Sequence, residues 1–169
     1  MKYINKFSSP LGQITMASDG KNLTGLWFDG QKYDRLGLDK DYQEKNLDIF
    51  VITKRWLDIY FKGQNPDFKP QIKLYTTDFR KEVYSILEKI PYGQTTTYTK
   101  IAQCLSNNKE RKKVFARPVG GALGHNPISI IIPCHRVLGK DRSLTGYAGG
   151  MERKIKLLEL ENISINKSK

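Results

Sequence analysis

Thr77-Asp78-Phe79-Arg80-Lys81-Glu82-Val83-Tyr84-Ser85-Ile86-Leu87-Glu88-Lys89-Ile90-Pro91-Tyr92-Gly93 is the stretch where the chain changes character. Phe79, Val83, Ile86, Leu87 and Ile90 recur at helical spacing and form one apolar stripe. Thr77 or Asp78 can cap the helix, and Pro91-Tyr92-Gly93 stops it. Upstream, the pattern has the period of a strand. Gln13-Ile14-Thr15-Met16-Ala17 and Leu23-Thr24-Gly25-Leu26-Trp27-Phe28 alternate around an Asp19-Gly20 turn, and Phe7-Ser8-Ser9-Pro10-Leu11-Gly12 is turn chemistry. These features predict a small antiparallel sheet. After a polar, poorly periodic stretch over 31–49, Ile52, Trp56, Ile59 and Tyr60 predict a helix that ends at Gly63. Asn65-Pro66-Asp67-Phe68-Lys69-Pro70 then reads as extended and puts a domain boundary near residue 75. The expected class is α/β in the α+β sense, with a scaffold domain at 1–75 and a mainly helical domain at 76–169.

Downstream of Gly93 the helical spacing returns. Tyr98, Ile101, Ala102 and Leu105 share a face behind a threonine cap at 95–97, and Cys104 is expected to be buried beside Leu105. A basic connection over 106–116 leads to a third helix over 116–123. Together the two helices suggest a helix-turn-helix with a long connection. Gly120-Gly121 costs the third helix roughly 1 kcal/mol per glycine relative to alanine. Ala116, Gly120, Gly121, Ala122 and Gly124 would let another surface approach closely, either a neighbouring helix or a ligand. Arg117 opposes the helix dipole at the N-terminus and needs another partner, such as a phosphate or a base. Ile128-Ser129-Ile130-Ile131-Ile132 reads as a buried strand ended by Pro133. Cys134-His135-Arg136 follows at once, either as an inert buried thiol or as a nucleophile whose pKa its neighbours lower.

The 169 residues carry 29 Lys+Arg against 17 Asp+Glu, a formal charge of +12. Residues 1–75 hold 12 basic and 9 acidic side chains, and 76–169 hold 17 and 8, so the excess lies in the second half. A polyanion partner or a solvated basic surface would explain it. Hydrophobic residues make up 38% of the chain, enough for a real core. No stretch has the apolar length of a signal peptide or a membrane span, so a soluble, cytoplasmic protein is expected. Two cysteines without a CxxC and two histidines argue against a disulfide scaffold and a zinc site.

Pro133-Cys134-His135-Arg136-Val137 follows Arg117-Pro118-Val119-Gly120-Gly121-Ala122 and Asn126-Pro127, and precedes Gly146-Tyr147-Ala148-Gly149-Gly150. This arrangement resembles the active-site region of the O6-alkylguanine-DNA alkyltransferases, the methylated-DNA–protein-cysteine methyltransferases. The likeness is close over the second half and looser over the first, through Ser9-Pro10-Leu11-Gly12. It implies a ribonuclease-H-like sheet domain ahead of a catalytic domain with a helix-turn-helix. It also implies irreversible, single-turnover transfer of the alkyl group of O6-alkylguanine, and of O4-alkylthymine, from double-stranded DNA to Cys134. In that resemblance His135 deprotonates the thiol through a water, Glu161 orients His135, and Asn126 braces the site. Tyr98 contacts the target nucleotide, Tyr147, Ala148 and Arg136 belong to the base-binding region, Gly120 and Gly121 admit the minor groove, and Arg117 fills the space left by a flipped base. No cofactor, metal or membrane is implied, and nothing requires more than a monomer.

Glu161 also has independent support, because it continues the apolar face of a helix over 151–160 one turn past Leu157 and Leu158. Two features depart from the family pattern: Pro118 follows Arg117, and the 106–116 connection is long and basic. A non-reactive lesion-binding protein would explain the charge and the helices but not Cys134, His135 and Glu161 together. A thiol-dependent hydrolase would explain a Cys-His pair, but neighbours in sequence rarely give the nucleophile-base geometry and no oxyanion-hole motif is evident in this chain.

Overall fold

The structure, a computed structural model, describes residues 2–107 and 113–165. Residues 108–112 of the 106–116 connection therefore lie outside the described residues. The fold is α+β, and the chain divides into two compact units. One comprises the residues up to Tyr75 together with Pro127–Ser129, and the other comprises Thr76–Asn126 together with the chain from Ile130 onward.

In the first unit, β1 (Tyr3–Ser9), β2 (Gly12–Ser18) and β3 (Leu23–Phe28) form an antiparallel meander, and β4 (Gln43–Glu44) lies parallel beside β1. The expected 7–12 turn is narrower than its composition suggested, because Phe7, Ser8 and Ser9 complete β1. Pro10-Leu11 alone makes the loop, Gly12 takes φ +114°, and Ser9 Oγ donates to the Gly12 carbonyl at 2.6 Å. The alternation in β2 and β3 does not mean one wet face. All six residues of β3 are buried. Helix α1 (Asp48–Phe61) packs against β1 and β3, with Phe7 stacked on Phe61, while Leu38 packs against a cluster of Ile4, Ala17 and Trp27. Gly25 is required here, since a Cβ at that position would lie 2.0 Å from the Trp27 ring. The buried side of α1 carries Ile49, Phe50, Thr53, Trp56, Leu57 and Tyr60, whereas Ile52 is exposed.

The run 128–132 is not a strand. Ile128 makes a bridge to Leu26, with Leu26 N–H donating to the Pro127 carbonyl and Ser129 N–H to the Leu26 carbonyl, both at 2.8 Å. Ile130 then turns the chain at φ +69°. A β-branched residue in that region costs about 1–3 kcal/mol, and burial of Ile128, Ile131 and Ile132 offsets it. The run is buried, but it forms a turn.

In the second unit α2 (Asp78–Leu87) is capped by Thr77, whose side chain accepts from Arg80 N–H. Helix α3 (Tyr98–Ser106) is capped by Thr97, and α4 (Ala116–Gly124) packs with both. Tyr84 is fully buried and donates to the Ala122 carbonyl at 2.8 Å, so Ala122 belongs to the core and not to the open face of α4. Cys104 is exposed, because Ile101, Ala102 and Leu105 form the buried stripe of α3 and leave it on the outer side. β5 (Thr96–Thr97) pairs in parallel with β6 (Val137–Leu138), and α5 (Met151–Leu160) closes the unit through a cluster of Leu138, Leu158 and Ile163. No described helix is long and apolar enough to cross a membrane.

Candidate active site

Cys134 opens a short 3-10 turn, Cys134–Arg136, directly after the left-handed residue Ile130 and Pro133. Its N–H donates to the Ile132 carbonyl at 2.8 Å. Asn126, two residues past α4, is 3% exposed. Its Nδ2 donates both to that carbonyl at 2.8 Å and to Cys134 Sγ at 3.2 Å. One amide therefore clamps the turn and the sulfur together. The thiol is 4% exposed, and burial raises its pKa above the ordinary value of 9.0 despite the opposing Asn126 hydrogen bond and the charge of Lys154. This corrects the expectation that its neighbours lower the thiol pKa. Burial keeps the resting sulfur protonated and wins over the polar contacts. A base is needed at the moment of reaction.

The histidine adjacent in sequence is held from the other side. His135 is fully buried, and its Nε2 lies 2.8 Å from Glu161 Oε1. Burial opposes ionisation of Glu161, yet the hydrogen bonds of His135 and Arg136 and the charge of the Arg136 guanidinium bring its pKa down to about 2. An ionised carboxylate can only accept, so Nε2 carries the ring proton and neutral His135 keeps its lone pair on Nδ1. Burial lowers the His135 pKa below 6.5, with Glu161 opposing, so the neutral ring prevails at neutral pH.

Arg136, expected among the base-contacting residues, turns inward instead. Its Nε and Nη2 donate to Glu161 at 2.9 and 3.0 Å, and Nη1 donates to the Ile90 carbonyl at 2.8 Å. Because these donors leave solvent, the forked carboxylate pairing and the carbonyl compensate their desolvation. Gly93 N–H adds a fourth donor to Glu161 at 3.1 Å, in a turn where Gly93 takes φ +79°. The carboxylate at the end of α5 thereby ties together the histidine, the arginine and the turn after α2.

Two contributors escape sequence reading. Lys154 is 0% exposed and donates to the Val137 and Thr145 carbonyls at 2.7 and 3.1 Å. Burial brings its pKa down to about 8, with Cys134 opposing. The available signal was a lysine on the apolar stripe of Leu157, Leu158 and Glu161. Thr145, which donates to Tyr98 OH at 2.9 Å, carries no local signal. Tyr98, Tyr147 and Ala148 are half-buried. On α4, Ala116, Arg117, Pro118 and Gly121 are exposed. A Cβ at Gly121 would meet nothing within 4 Å, and one at Gly120 would meet only Tyr98 Cε1, at 3.8 Å. No intramolecular neighbour therefore requires either glycine. Phe115, just ahead of α4, is 63% exposed, with Lys113 over its ring. Among the described residues, no group of three or more His, Cys, Asp or Glu side chains could hold a metal ion.

Comparison with known proteins gives a consistent set of relatives. A family model described as the 6-O-methylguanine DNA methyltransferase ribonuclease-like domain matches residues 2–74, and one described as the DNA binding domain of the same methyltransferase matches 78–163. A methylated-DNA–protein-cysteine methyltransferase of Haemophilus influenzae is 39% identical over 95% of this chain and 87% of the relative. One of Methanosarcina barkeri is 43% identical over 94% of this chain and 96% of the relative. A crystal structure of Mycobacterium tuberculosis OGT in complex with DNA superposes with a TM-score of 0.79 at 38% identity, covering 94% of this chain and 92% of that one.

Proposed function

For a chain that belongs to the 6-O-methylguanine DNA methyltransferase family, we propose direct DNA repair: the alkyl group of O6-alkylguanine in duplex DNA moves irreversibly onto Cys134. The observation that carries the reading is the buried chain from Cys134 to Glu161, in which a thiol clamped by Asn126 precedes a histidine oriented by a carboxylate. His135 Nδ1 takes the thiol proton through a water. The sulfur attacks the alkyl carbon, the C–S bond forms, and the C–O bond breaks. Guanine leaves with the electron pair and is protonated to the ordinary base. The thioether has no route back to a thiol, so each molecule acts once. The glycines of α4 let its backbone approach the minor groove, and the target base rotates out of the stack to reach a sulfur that is 4% exposed. One chain holds every group named, so a monomer suffices.

Incubation with duplex DNA carrying a labelled O6-methylguanine tests the reading. One equivalent of label should move to the protein. Label that stays on bound DNA would identify a lesion binder, and product in molar excess over protein would exclude self-alkylation.

Arg117 occupies the exposed N-terminal turn of α4 and serves as the residue that fills the vacated stack. Arg117→Ala should reduce the magnitude of the salt slope of DNA binding by about 0.9 for the lost phosphate neutralisation. It should also slow repair in duplex DNA much more than reaction with free O6-alkylguanine, which needs no flipping. Arg117→Lys should rescue binding better than repair, since an ammonium restores charge but does not stack. Equal losses on duplex and free base would remove Arg117 from this role.

A further inference from the structure

We propose that Thr145 is a positioning residue for the transfer reaction, fixing the hydroxyl of Tyr98 where the target nucleotide enters; this rests on the function proposed above. Thr145 Oγ1 and Tyr98 OH lie 2.9 Å apart although 47 residues separate them in sequence. Tyr98 is the first residue of α3, and its ring edge is the neighbour that a Cβ at Gly120 of α4 would meet. A phenol at the end of a side chain is a long lever, so small rotations at its Cα move the hydroxyl far. Thr145 ties that lever down.

The loop presenting Thr145 is itself held from several directions. The buried ammonium of Lys154 donates at once to the Thr145 carbonyl and to the Val137 carbonyl in β6, joining the loop to the strand that leaves Cys134-His135-Arg136. Gly139 N–H donates to the Ser143 carbonyl at 2.8 Å. A Cβ on Gly139 would stand 2.5 Å from Ser143 Oγ and 2.6 Å from Thr145 Cγ2, so any larger residue there would push both side chains out of place. Asp141 and Arg142, both at positive φ, turn the chain between them. Strain, a close approach and a buried cation all hold the loop that carries this hydroxyl, the arrangement expected where a positioning group must be kept in place. Tyr98 thus links the open face of α4 to the loop that carries Tyr147.

Thr145→Val retains the shape of the side chain and its methyl against Gly139 while deleting the hydrogen bond. It should lower the single-turnover rate on O6-methylguanine duplex about 5- to 20-fold. The loss should be larger on duplex than on free O6-benzylguanine, and Thr145→Ser should recover most of it. In a Tyr98→Phe background, Thr145→Val should cost nothing further, because the partner of the hydroxyl is already gone. A wild-type rate for Thr145→Val, an equal loss in the Tyr98→Phe background, or failure of serine to rescue overturns the proposal. Melting temperatures within a few degrees across the set ensure that the rates report positioning and not unfolding. Failure of the wild-type protein to accept any alkyl group would instead remove the function on which this inference stands.

Discussion

Cys134→Ser should abolish alkyl transfer and still bind lesion-containing duplex. Serine differs from cysteine by one atom, so the Asn126 clamp and the turn at Pro133 survive. A serine hydroxyl, however, ionises far less readily than a thiol and is a poor nucleophile toward an alkyl carbon. Transfer should fall below detection while affinity for O6-methylguanine duplex changes by no more than a few-fold. Cys104→Ser is the companion measurement. Cys104 is solvent-exposed on the outer side of α3 and lies outside the buried chain of Asn126, Cys134, His135 and Glu161, so its loss should leave the stoichiometry at one alkyl group per chain. Peptide mass analysis after reaction decides the matter: methyl on the peptide containing Cys134 is expected, and methyl on the peptide containing Cys104 would reverse the assignment.

Glu161→Gln should damage stability and reactivity together. The carboxylate accepts from His135, Arg136 and Gly93 while itself 2% exposed, and the amide leaves the Arg136 guanidinium with no opposing charge in a dry site. Breaking a buried pair from one side costs about 3–5 kcal/mol. The Glu161 pKa, brought from 4.5 down to about 2 by these same contacts, has the direction expected of a carboxylate that stabilises the fold in its ionised form. The sign follows from linkage. Because the folded value lies below the unfolded one, Glu161 stabilises fully above pH 4.5, and that contribution is lost as pH falls toward 2. His135 acts in the same direction over a higher range, since its folded pKa lies below 6.5 and protonation there favours unfolding.

Wild-type melting temperature should therefore drop as pH is lowered from 6.5 toward 2, and Glu161→Gln should start lower and flatten below pH 4.5. Transfer by the variant, measured well below its melting temperature, should slow by about 100-fold or more, as the histidine loses its orientation and its basicity. A variant with wild-type acid sensitivity and a wild-type rate would mean that the carboxylate neither supports the fold nor serves the histidine.

The helices were legible because their signals are local. A threonine before Asp78 and another before Tyr98 cap α2 and α3, and the stripes of Val83 and Leu87 and of Ile101, Ala102 and Leu105 supply the buried faces. Cys134, His135 and Glu161 were legible for a different reason: two are adjacent in a contiguous motif, and the third is a carboxylate on an apolar stripe. The strands could be placed but not their burial, since alternation marks a pleat and cannot tell whether a helix and a loop will cover both faces of β3.

Where the outcome depended on distant partners, the chain alone was ambiguous. A β-branched run such as 128–132 is equally apolar as a strand or as a buried turn, and the left-handed Ile130 was decided by where Ile128 pairs with β3. Arg136 follows His135 in every reading of the sequence. Only the arrival of Glu161 from the end of α5 and of the Ile90 carbonyl turns its guanidinium inward. The thiol pKa rises because the fold removes water from Cys134, a long-range effect that the Asn126 hydrogen bond and the charge of Lys154 do not offset. Local propensity and pattern determined the five helices and the meander of β1 to β3, and which residue carries the sulfur. Desolvation and pairings across 25 to 47 residues, Arg136 with Glu161 and Tyr98 with Thr145, determined how that sulfur is held and what surrounds it.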